Sequence, residues 1–288
     1  MAFTTLIDAS TLRELAGKSD IVVVDCRFDL IQREGGRRAY LAGHIPGARY
    51  ADLDKDLSAP IRPNSGRHPL PLPKDLAATS GRFGIGNATQ VIAYDDAGGS
   101  FAVRLWWLLR WLGHTSVAVL DGGIKAWTAA DGTLESGTEG PLPTAAPAGG
   151  RVLPQANAAA VIDTADIAAF LSDPKNLLVD ARAAERYAGV VEPIDTVAGH
   201  IAGAVNHPFS ANLAPDGRFL PAPELKRLWH ARLAGREVAH VAAMCGSGVT
   251  ACHNLLSLEV AGFSGAKLYA GSWSEWIRDP RRRIARGG

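Results

Sequence analysis

The chain has 288 residues, of which 47% are hydrophobic and 20% are charged, with 31 glycines and 17 prolines. This composition is typical of globular proteins and excludes collagen, coiled coils and wholly disordered chains. Because 30 Lys and Arg residues balance 29 Asp and Glu residues, the charge indicates no general attraction to nucleic acid or to an acidic membrane.

The length predicts two domains, and an internal repeat agrees with that prediction. Four blocks of sequence recur in the same order, which indicates a duplication. They are LIDASTL (6–12) with VIDTADI (161–167), VVVDCR (22–27) with LLVDAR (177–182), AGHIPGA (42–48) with AGHIAGA (198–204), and VLDGGIKAW (119–127) with LYAGSWSEW (268–276).

Both halves predict the same succession of elements along the chain. A short helix precedes a strand that ends at Asp25 or Asp180, and a Gly-His-Ile turn, a second strand, a loop, an apolar helix and a last strand follow. The second strand is predicted at 90–94 and 238–244, and the apolar helix at 101–112 and 249–261. Continuous runs of Val, Ile and Ala, rather than strict alternation, predict strands covered on both faces. We therefore expect an α/β fold of two tandem domains, each a mainly parallel sheet flanked by helices.

A stretch rich in Gly, Pro and Ala at 136–160 predicts an extended connection between the halves. We predict a first domain at 1–140, a linker at 141–157 and a second domain at 158–288.

The amino terminus lacks a basic segment followed by an apolar one, and no stretch approaches 18 uninterrupted apolar residues. Three cysteines are too few for a disulfide framework in a chain of this length. We expect a cytoplasmic protein in a reducing compartment, with neither a membrane nor a nucleic acid as partner.

The segment Cys245-Gly246-Ser247-Gly248-Val249-Thr250 carries the candidate chemistry. It follows a predicted strand and opens a helix, so its thiol would lie at the carboxyl end of a parallel sheet, where open α/β folds place their sites. The two glycines allow successive backbone N–H groups to face inward as an anion-binding nest, and the helix terminus adds positive potential. Such a cradle stabilises a thiolate.

Other interpretations of the cysteines are weaker. Cys26 and Cys252 fit buried packing positions. No Cys/His cluster has zinc spacing, so we expect neither a metal nor a cofactor. A cysteine phosphatase would need an arginine at position 251, which is alanine.

In the first half, an offset of 149 residues aligns Asp96 with Cys245. Because a carboxylate cannot act as a sulfur nucleophile, we predict that the first domain is catalytically inactive.

These features resemble the tandem-rhodanese sulfurtransferases over nearly the whole chain. The resemblance is carried by the duplication, GHIPGA (43–48), an Asp at the first-half cysteine position, CGSGVTAC (245–252) and YAGSWSEW (269–276). The loop CGSGVT is similar to that of the 3-mercaptopyruvate sulfurtransferase branch, whereas thiosulfate sulfurtransferases tend to have basic residues after the cysteine.

The resemblance implies a double displacement through Cys245. Its thiolate would take sulfur from a small-molecule donor, 3-mercaptopyruvate, release pyruvate and hold a persulfide. A thiol acceptor, such as thioredoxin or a small thiol, or cyanide in an assay, would then remove the outer sulfur.

The resemblance also implies roles for further residues. Ser247, Asp54 and His68 match a polar relay that protonates the departing enolate, and Arg186 matches an arginine that binds the donor carboxylate. Residues of the loop itself would complete the substrate site, namely Gly246, Gly248, Val249 and Thr250. The alternative for Arg186 is an ion pair with Glu185 or Asp180. A second arginine, which related proteins carry before the Gly-His pair, has no counterpart in 189–200.

Two other functions stay open. One is a thiosulfate:cyanide sulfurtransferase on the same fold. The other is a noncatalytic rhodanese-like module that binds a partner protein.

Overall fold

The computed structural model describes residues 2–138 and 150–288, which divide into two compact units. The first unit draws on Met1–Ala59, Pro71–Asn157 and Pro215–Phe219, and the second on Pro60–Leu70, Ala158–Ala214 and Leu220–Gly288. Of the predicted linker, 141–149 lies outside the described residues. Residues 150–157 group with the first unit, where Arg151 forms a bridge with Gly86 and the Asn157 N–H donates to the Trp111 carbonyl at 2.9 Å.

The described residues of the first unit form one parallel sheet flanked by helices. Its strands are β1 (Leu6–Ile7), β2 (Ile21–Asp25), β3 (Arg49–Tyr50), β4 (Gln90–Tyr94) and β5 (Val117–Leu120). Its helices are α1 (Ala9–Leu15), α2 (Gly35–Ala42), α3 (Pro73–Arg82), α4 (Ala102–Trp111) and α5 (Gly123–Ala129). The sheet order is β1-β5-β4-β2-β3, and each neighbouring pair is parallel. All residues of β5 and all but the first of β4 are buried, which explains why apolar and polar residues do not alternate along these strands.

The second unit repeats this plan. Its strands are β6 (Leu177–Asp180), β7 (His200–Ile201), β8 (Val205–Asn206), β9 (Val241–Met244), β10 (Lys267–Leu268) and β11 (Ile284–Ala285). Its helices are α6 (Ile167–Ser172), α7 (Ala184–Ala188), α8 (Ala222–Leu233), α9 (Ala251–Val260) and α10 (Ser272–Trp276). The parallel order β10-β9-β6-β8 matches the first sheet, and a parallel bridge from Val161 to Leu268 stands where β1 pairs β5. The predicted strand at 238–244 is wrong for its first three residues, which form a 3₁₀ turn.

Two side-chain arrangements recur in both units. Asp25 accepts a forked pair of hydrogen bonds from Arg27, as Asp180 does from Arg182. His44 and His200, from the repeated Gly-His-Ile turn, stack on Tyr40 and Tyr187 with ring centroids 3.9 and 3.7 Å apart. The predicted α/β fold of two tandem domains is confirmed, and the repeated contacts agree with a duplication.

The halves of the chain exchange short segments between the units. Pro60–Leu70 comes from the first half of the sequence but groups with the second unit, and Pro215–Phe219 does the reverse. In the second unit, the Gly66 N–H donates to Glu275 Oε2 at 3.1 Å. In the first, the Phe219 N–H donates to Asp121 Oδ1 at 2.8 Å. Each compact unit is therefore built from segments that are not contiguous in the sequence, and the predicted domain ranges stay a prediction.

Within residues 2–138 and 150–288, no helix combines the length and the apolar character needed to cross a bilayer.

Candidate active site

The loop between β9 and α9 holds Cys245 at the carboxyl end of the second sheet. The side chain is almost completely buried, with 2% of its surface exposed. Its Sγ accepts hydrogen bonds from the N–H groups of Gly248 at 3.1 Å and Ser247 at 3.5 Å. The loop thus directs backbone dipoles at the sulfur, which suits a sulfur atom that carries negative charge.

Glycine is required where the loop turns. Gly248 has φ of +78°, and an ideal Cβ placed on it would lie 2.4 Å from the Ala270 carbonyl oxygen. A side chain there would strain the backbone and collide with a fixed atom. The shape of the loop therefore requires glycine at position 248.

A second segment, GSWSEW (271–276), fixes the backbone of the cysteine loop. Ser272 Oγ accepts from the Cys245 N–H at 3.1 Å, and the Trp273 N–H donates to the Cys245 carbonyl at 3.0 Å. The Ser274 N–H donates to the Gly246 carbonyl at 2.8 Å. Since these bonds occupy the backbone around Cys245, the cradle is held before any ligand arrives.

Val249 and Thr250 lead from the loop into α9. Their carbonyls accept from the Cys252 and His253 N–H groups at 3.0 and 3.1 Å, which starts the first turn of the helix. Both residues belong to the loop that carries the thiol, and in the structure they begin helix α9. Their predicted contact with substrate stays a prediction.

His68 and Ser247 lie together, as the family resemblance implies. His68 Nδ1 is 2.7 Å from Ser247 Oγ, and the two residues are 4% and 6% exposed. Their contact depends on Pro60–Leu70, which is anchored through the Arg67 N–H to Ser274 Oγ at 3.1 Å and through Gly66 to Glu275. A histidine, a hydroxyl and a thiol thus occupy one buried region.

Asp54, the third residue of the predicted relay, belongs to the first unit. There its carboxylate pairs with Arg33 Nη1 at 3.2 Å, and its N–H donates to Asp52 Oδ1 at 2.9 Å. Its part in a relay stays a prediction.

Arg186 reaches the cysteine loop from α7. An ideal Cβ on Gly246 would lie 3.7 Å from both of its terminal nitrogens. Its ion-pair partners are Glu192 at 2.7 Å and Asp195 at 3.2 Å. The alternative of a pair with Glu185 or Asp180 is wrong, because the chain after α7 folds back and presents these later carboxylates. Burial alone would raise the pKa of Glu192, but hydrogen bonds from Arg186 and the Asp195 N–H outweigh it and lower that pKa.

Arg67 lies against the cysteine loop, and sequence reasoning did not single it out. It forms an ion pair with Asp195, and its Nη2 would lie 2.9 Å from an ideal Cβ on Gly246. The available signal was its position next to His68 in RHPLP, but an arginine in a Pro-rich loop is usually solvated.

The first-half counterpart of Cys245 is Asp95, and the assignment of Asp96 is wrong. Asp25 pairs with Tyr94 in one sheet and Asp180 with Met244 in the other, so the next residues, Asp95 and Cys245, are equivalent. The loop before α4 is one residue longer than the loop before α9, so the offset of 149 residues taken from the blocks at 119–127 and 268–276 does not hold at this position. Asp96 is exposed.

The Asp95 carboxylate fills the corresponding cradle. It accepts four backbone hydrogen bonds of 2.8–2.9 Å, from the N–H groups of Ala97, Gly99, Phe101 and Ala102. Burial raises the pKa of Asp95, and these hydrogen bonds oppose the rise. The position carries no thiol in the first unit, as the sequence predicts.

The other two cysteines are also buried. Cys26 is 1% exposed, and burial raises the pKa of its thiol well above the usual range. Cys252 is fully buried and donates to the Gly248 carbonyl at 3.4 Å. Both fit packing positions. Among the described residues, no group of three or more His, Cys, Asp or Glu side chains could hold a metal ion.

Comparisons with known proteins agree with this geometry. The family model of the rhodanese-like domain matches residues 8–130 and again 163–279. A probable 3-mercaptopyruvate sulfurtransferase of Pseudomonas aeruginosa is 49% identical over the full length of both chains. Human 3-mercaptopyruvate sulfurtransferase is 37% identical, with 85% of this chain and 80% of the human one covered. Rat thiosulfate sulfurtransferase is 32% identical, with 87% and 84% covered.

Solved structures that match this chain also include sulfurtransferases of the rhodanese fold. The 3-mercaptopyruvate sulfurtransferase of Leishmania major matches with a TM-score of 0.81 and 30% identity, covering 96% of this chain and 76% of that one. SseA of Escherichia coli, described as a 3-mercaptopyruvate sulfotransferase with a rhodanese fold, matches with a TM-score of 0.78 and 32% identity, covering 94% and 100%. The chain therefore belongs to the rhodanese family and is a tandem-rhodanese sulfurtransferase.

Proposed function

We propose that this sulfurtransferase takes its sulfur from 3-mercaptopyruvate and passes it through a Cys245 persulfide to a thiol. The observation that carries the proposal is the buried Cys245 Sγ, which accepts two backbone hydrogen bonds. The cradle supports negative charge on the free thiolate and on the persulfide, so it serves both half-reactions.

In the first half-reaction, the Cys245 thiolate attacks the donor sulfur. An S–S bond forms, the donor C–S bond breaks, and its electron pair stays on the carbon as pyruvate enolate. One proton then converts the enolate to pyruvate. The His68–Ser247 pair, with 2.7 Å between Nδ1 and Oγ, lies beside the cysteine loop and is suited to deliver that proton.

In the second half-reaction, an acceptor thiol attacks the outer sulfur of the persulfide. The acceptor thiol gives up its proton, the S–S bond of the persulfide breaks, its electron pair returns to Cys245 as thiolate, and the acceptor leaves as a persulfide. A small thiol or a thioredoxin-like protein thiol is the acceptor that we propose.

The guanidinium of Arg186, near Gly246, supports a donor with a carboxylate. The loop contains no basic residue after Cys245, as in the 3-mercaptopyruvate branch, and the nearby cations, Arg67 and Arg186, come from other segments. Thiosulfate remains the second candidate donor because arginine also binds sulfonate oxygens, and a putative thiosulfate sulfurtransferase of Mycobacterium tuberculosis is 39% identical.

One experiment tests this proposal with two readouts. We expect kcat/KM for 3-mercaptopyruvate to exceed that for thiosulfate by about tenfold or more, a difference of about 1.4 kcal/mol in transition-state binding. Donor without acceptor should add about 32 Da, one sulfur atom, and peptide mapping should place it on Cys245.

The control is Cys245→Ser, which should show no adduct and no turnover. Preference for thiosulfate would reject the donor, and an adduct on Cys26 or Cys252 would reject the nucleophile. Slow turnover with every donor, unchanged in Cys245→Ser, would instead support the noncatalytic module.

A further inference from the structure

Ser272 has a backbone conformation that serine rarely adopts. Its φ is +53°, in the left-handed region that strains any residue with a Cβ. Among the described residues other than glycine, Asp131 and Ala234 share this feature, and both are exposed. Ser272 is completely buried, at the start of α10 and in contact with the cysteine loop. Strain at a buried position beside a candidate active site indicates a functional reason for the residue type.

The first unit has glycine at the equivalent position. The repeated blocks at 119–127 and 268–276 align Gly123 with Ser272. The backbone agrees with this alignment, because Gly123 has φ of +59°. Glycine adopts that conformation without strain, so the turn itself does not require a side chain. Serine is thus a difference of the second unit, which holds the cysteine.

The residue after each of these positions makes the same contact in both units. The Ile124 N–H donates to the Asp95 carbonyl at 3.0 Å, and the Trp273 N–H donates to the Cys245 carbonyl at 3.0 Å. Because Asp95 and Cys245 follow equivalent strands, this hydrogen bond belongs to the shared plan of the two units. It does not explain why the second unit has a serine.

The Ser272 hydroxyl supplies a contact that glycine cannot make. Its Oγ accepts from the Cys245 N–H at 3.1 Å and donates to the Tyr269 carbonyl at 2.8 Å. Since the hydroxyl proton is directed at Tyr269, a lone pair of Oγ is left to face the Cys245 N–H. Tyr269 is itself tied to β9, because its N–H donates to the Ala243 carbonyl at 2.9 Å. The hydroxyl therefore joins the backbone of Cys245 to the end of the sheet.

The cysteine depends more on a fixed backbone than the aspartate does. Four N–H groups at 2.8–2.9 Å hold the Asp95 carboxylate directly. The Cys245 Sγ accepts from Gly248 at 3.1 Å and from Ser247 at 3.5 Å. With fewer and longer hydrogen bonds to the side chain, the position of Sγ is set to a larger extent by the backbone that carries it.

We propose that Ser272 is a positioning residue for Cys245. Its hydroxyl fixes the Cys245 N–H, and with it the direction of the side chain, so that Sγ meets the N–H groups of Gly248 and Ser247. The left-handed backbone of a buried serine is the consequence of placing a hydroxyl at this point. This inference rests on the proposed role of Cys245 as the nucleophile, and it does not depend on which donor is used.

Alkylation of Cys245 by iodoacetamide in the full chain tests the proposal without any sulfur donor. Ser272→Gly and Ser272→Ala both remove the hydroxyl. Both should move the profile of alkylation rate against pH toward higher pH by about 0.5 unit or more, because Sγ is less well placed against the N–H donors that stabilise a thiolate. Peptide mapping assigns the adduct to Cys245. His68, Arg67 and Arg186 are present in both variants, so a displaced profile reports the backbone donors.

Steady-state kinetics should show the same loss of activity in both variants. We expect kcat/KM for 3-mercaptopyruvate to fall by about 5- to 50-fold, because a buried N–H loses its acceptor. The values for Ser272→Gly and Ser272→Ala should agree within about threefold, because both lose the same hydroxyl.

Thermal unfolding separates positioning of the cysteine from support of the fold. Ser272→Ala keeps a Cβ at a positive φ and Ser272→Gly does not, so Ser272→Gly should melt about 2–4 °C higher than Ser272→Ala. If activity followed this order, with Ser272→Gly close to the wild type and its pH profile unchanged, the hydroxyl would have no part in positioning. That result would overturn the proposal.

The matched control is Ser257→Ala. Ser257 is fully buried in the same unit, where its Oγ accepts from Trp229 Nε1 at 2.8 Å and donates to the Asn254 carbonyl at 2.9 Å. Loss of this hydroxyl should lower the melting temperature and leave the pH profile of Cys245 alkylation unchanged. A displacement as large as that in the Ser272 variants would show that the loss of any buried hydroxyl has this effect, and the proposal would fail.

The two kinetic measurements distinguish this inference from the proposed function. If the alkylation profile is displaced in both Ser272 variants but the wild type does not turn over 3-mercaptopyruvate, the positioning role stands and the proposed donor fails. If the wild type turns over 3-mercaptopyruvate but both variants keep its rate and its alkylation profile, the positioning role fails.

Discussion

Asp95 and Cys245 occupy the same place after equivalent strands, but the loops around them bind them differently. The carboxylate accepts four backbone N–H groups, whereas the sulfur accepts two. A carboxylate has two oxygens and about four lone-pair positions, so Asp95 uses this capacity within its own loop. The first cradle is a structural anion site, and the second leaves the sulfur available for chemistry.

Replacement of Asp95 tests this structural role. Asp95→Asn puts an NH₂ group against backbone N–H donors and leaves some of them unsatisfied. We expect the free energy of unfolding to fall by about 1–3 kcal/mol, measured by urea denaturation. The exposed Asp96 provides the control, because Asp96→Asn should change stability by less than about 0.5 kcal/mol. Equal effects of the two substitutions would contradict the assignment of Asp95 to the cradle.

Some residues of the site could be predicted from the sequence and others could not. Cys245 could be singled out because two glycines and a strand-to-helix loop surround it, whereas Ser247 was named only through the family resemblance. Asp96 was misassigned because the offset of 149 residues, taken from the blocks at 119–127 and 268–276, was applied across a loop one residue longer than its counterpart. Arg67 could not be identified, because its role depends on Asp195, which lies 128 residues away in the sequence.

At the scale of elements, the ends of helices and strands determine where side chains can act. Asp8 caps α1: its carboxylate accepts from Ser10, from the Thr11 N–H at 2.8 Å and from Thr11 Oγ1 at 2.7 Å. These hydrogen bonds lower the pKa of Asp8 from 3.8 to about 2. The helix start is thus stabilised by the charged form of one exposed side chain.

The cap predicts a pH dependence. Asp8→Ala should lower the free energy of unfolding by about 1 kcal/mol at pH 7. Because the pKa of Asp8 is lower in the folded state, its stabilising effect is present above pH 3.8 and is lost as the pH falls toward about 2. Denaturation of the wild type and the variant across this range measures the difference. Asp20→Ala, in the same unit, is the control for removal of an exposed carboxylate, and a difference independent of pH would refute the cap.

At the scale of the whole molecule, the segment exchange places parts of each sequence half in the unit built mainly by the other. Pro60–Leu70 contributes Arg67 and His68 to the second unit, while Pro215–Phe219 contributes Phe219, 6% exposed, to the first. The site thus draws on residues separated by 179 positions, the distance from His68 to Ser247.

Loss of the exchanged segment should remove activity. In the full chain, replacing residues 64–68 with a Gly/Ser sequence of equal length should lower kcat/KM by about 100-fold or more, because His68 and Arg67 are both removed. The matched control replaces Pro215–Phe219 in the same way. That variant loses a buried aromatic ring, so its thermal stability should fall while kcat/KM below the melting temperature is largely kept. Full activity without residues 64–68 would show that this segment has no part in the chemistry.

The overall plan could be predicted from the sequence, and the exchange could not. Repeated blocks and continuous apolar strands predict two parallel α/β domains because both are local patterns. The hydrogen bond from Gly66 to Glu275 joins two loops that are 209 residues apart in the sequence. A single sequence carries no signal for such a contact.

The reciprocal exchange has an evolutionary consequence. After the duplication, each copy of the ancestral gene supplies a segment to the unit built mainly by the other copy. Deletion of either copy, or its recombination alone into another gene, then damages both units. Purifying selection then acts on the whole duplicated gene, including the first copy, which has an aspartate in place of the nucleophilic cysteine.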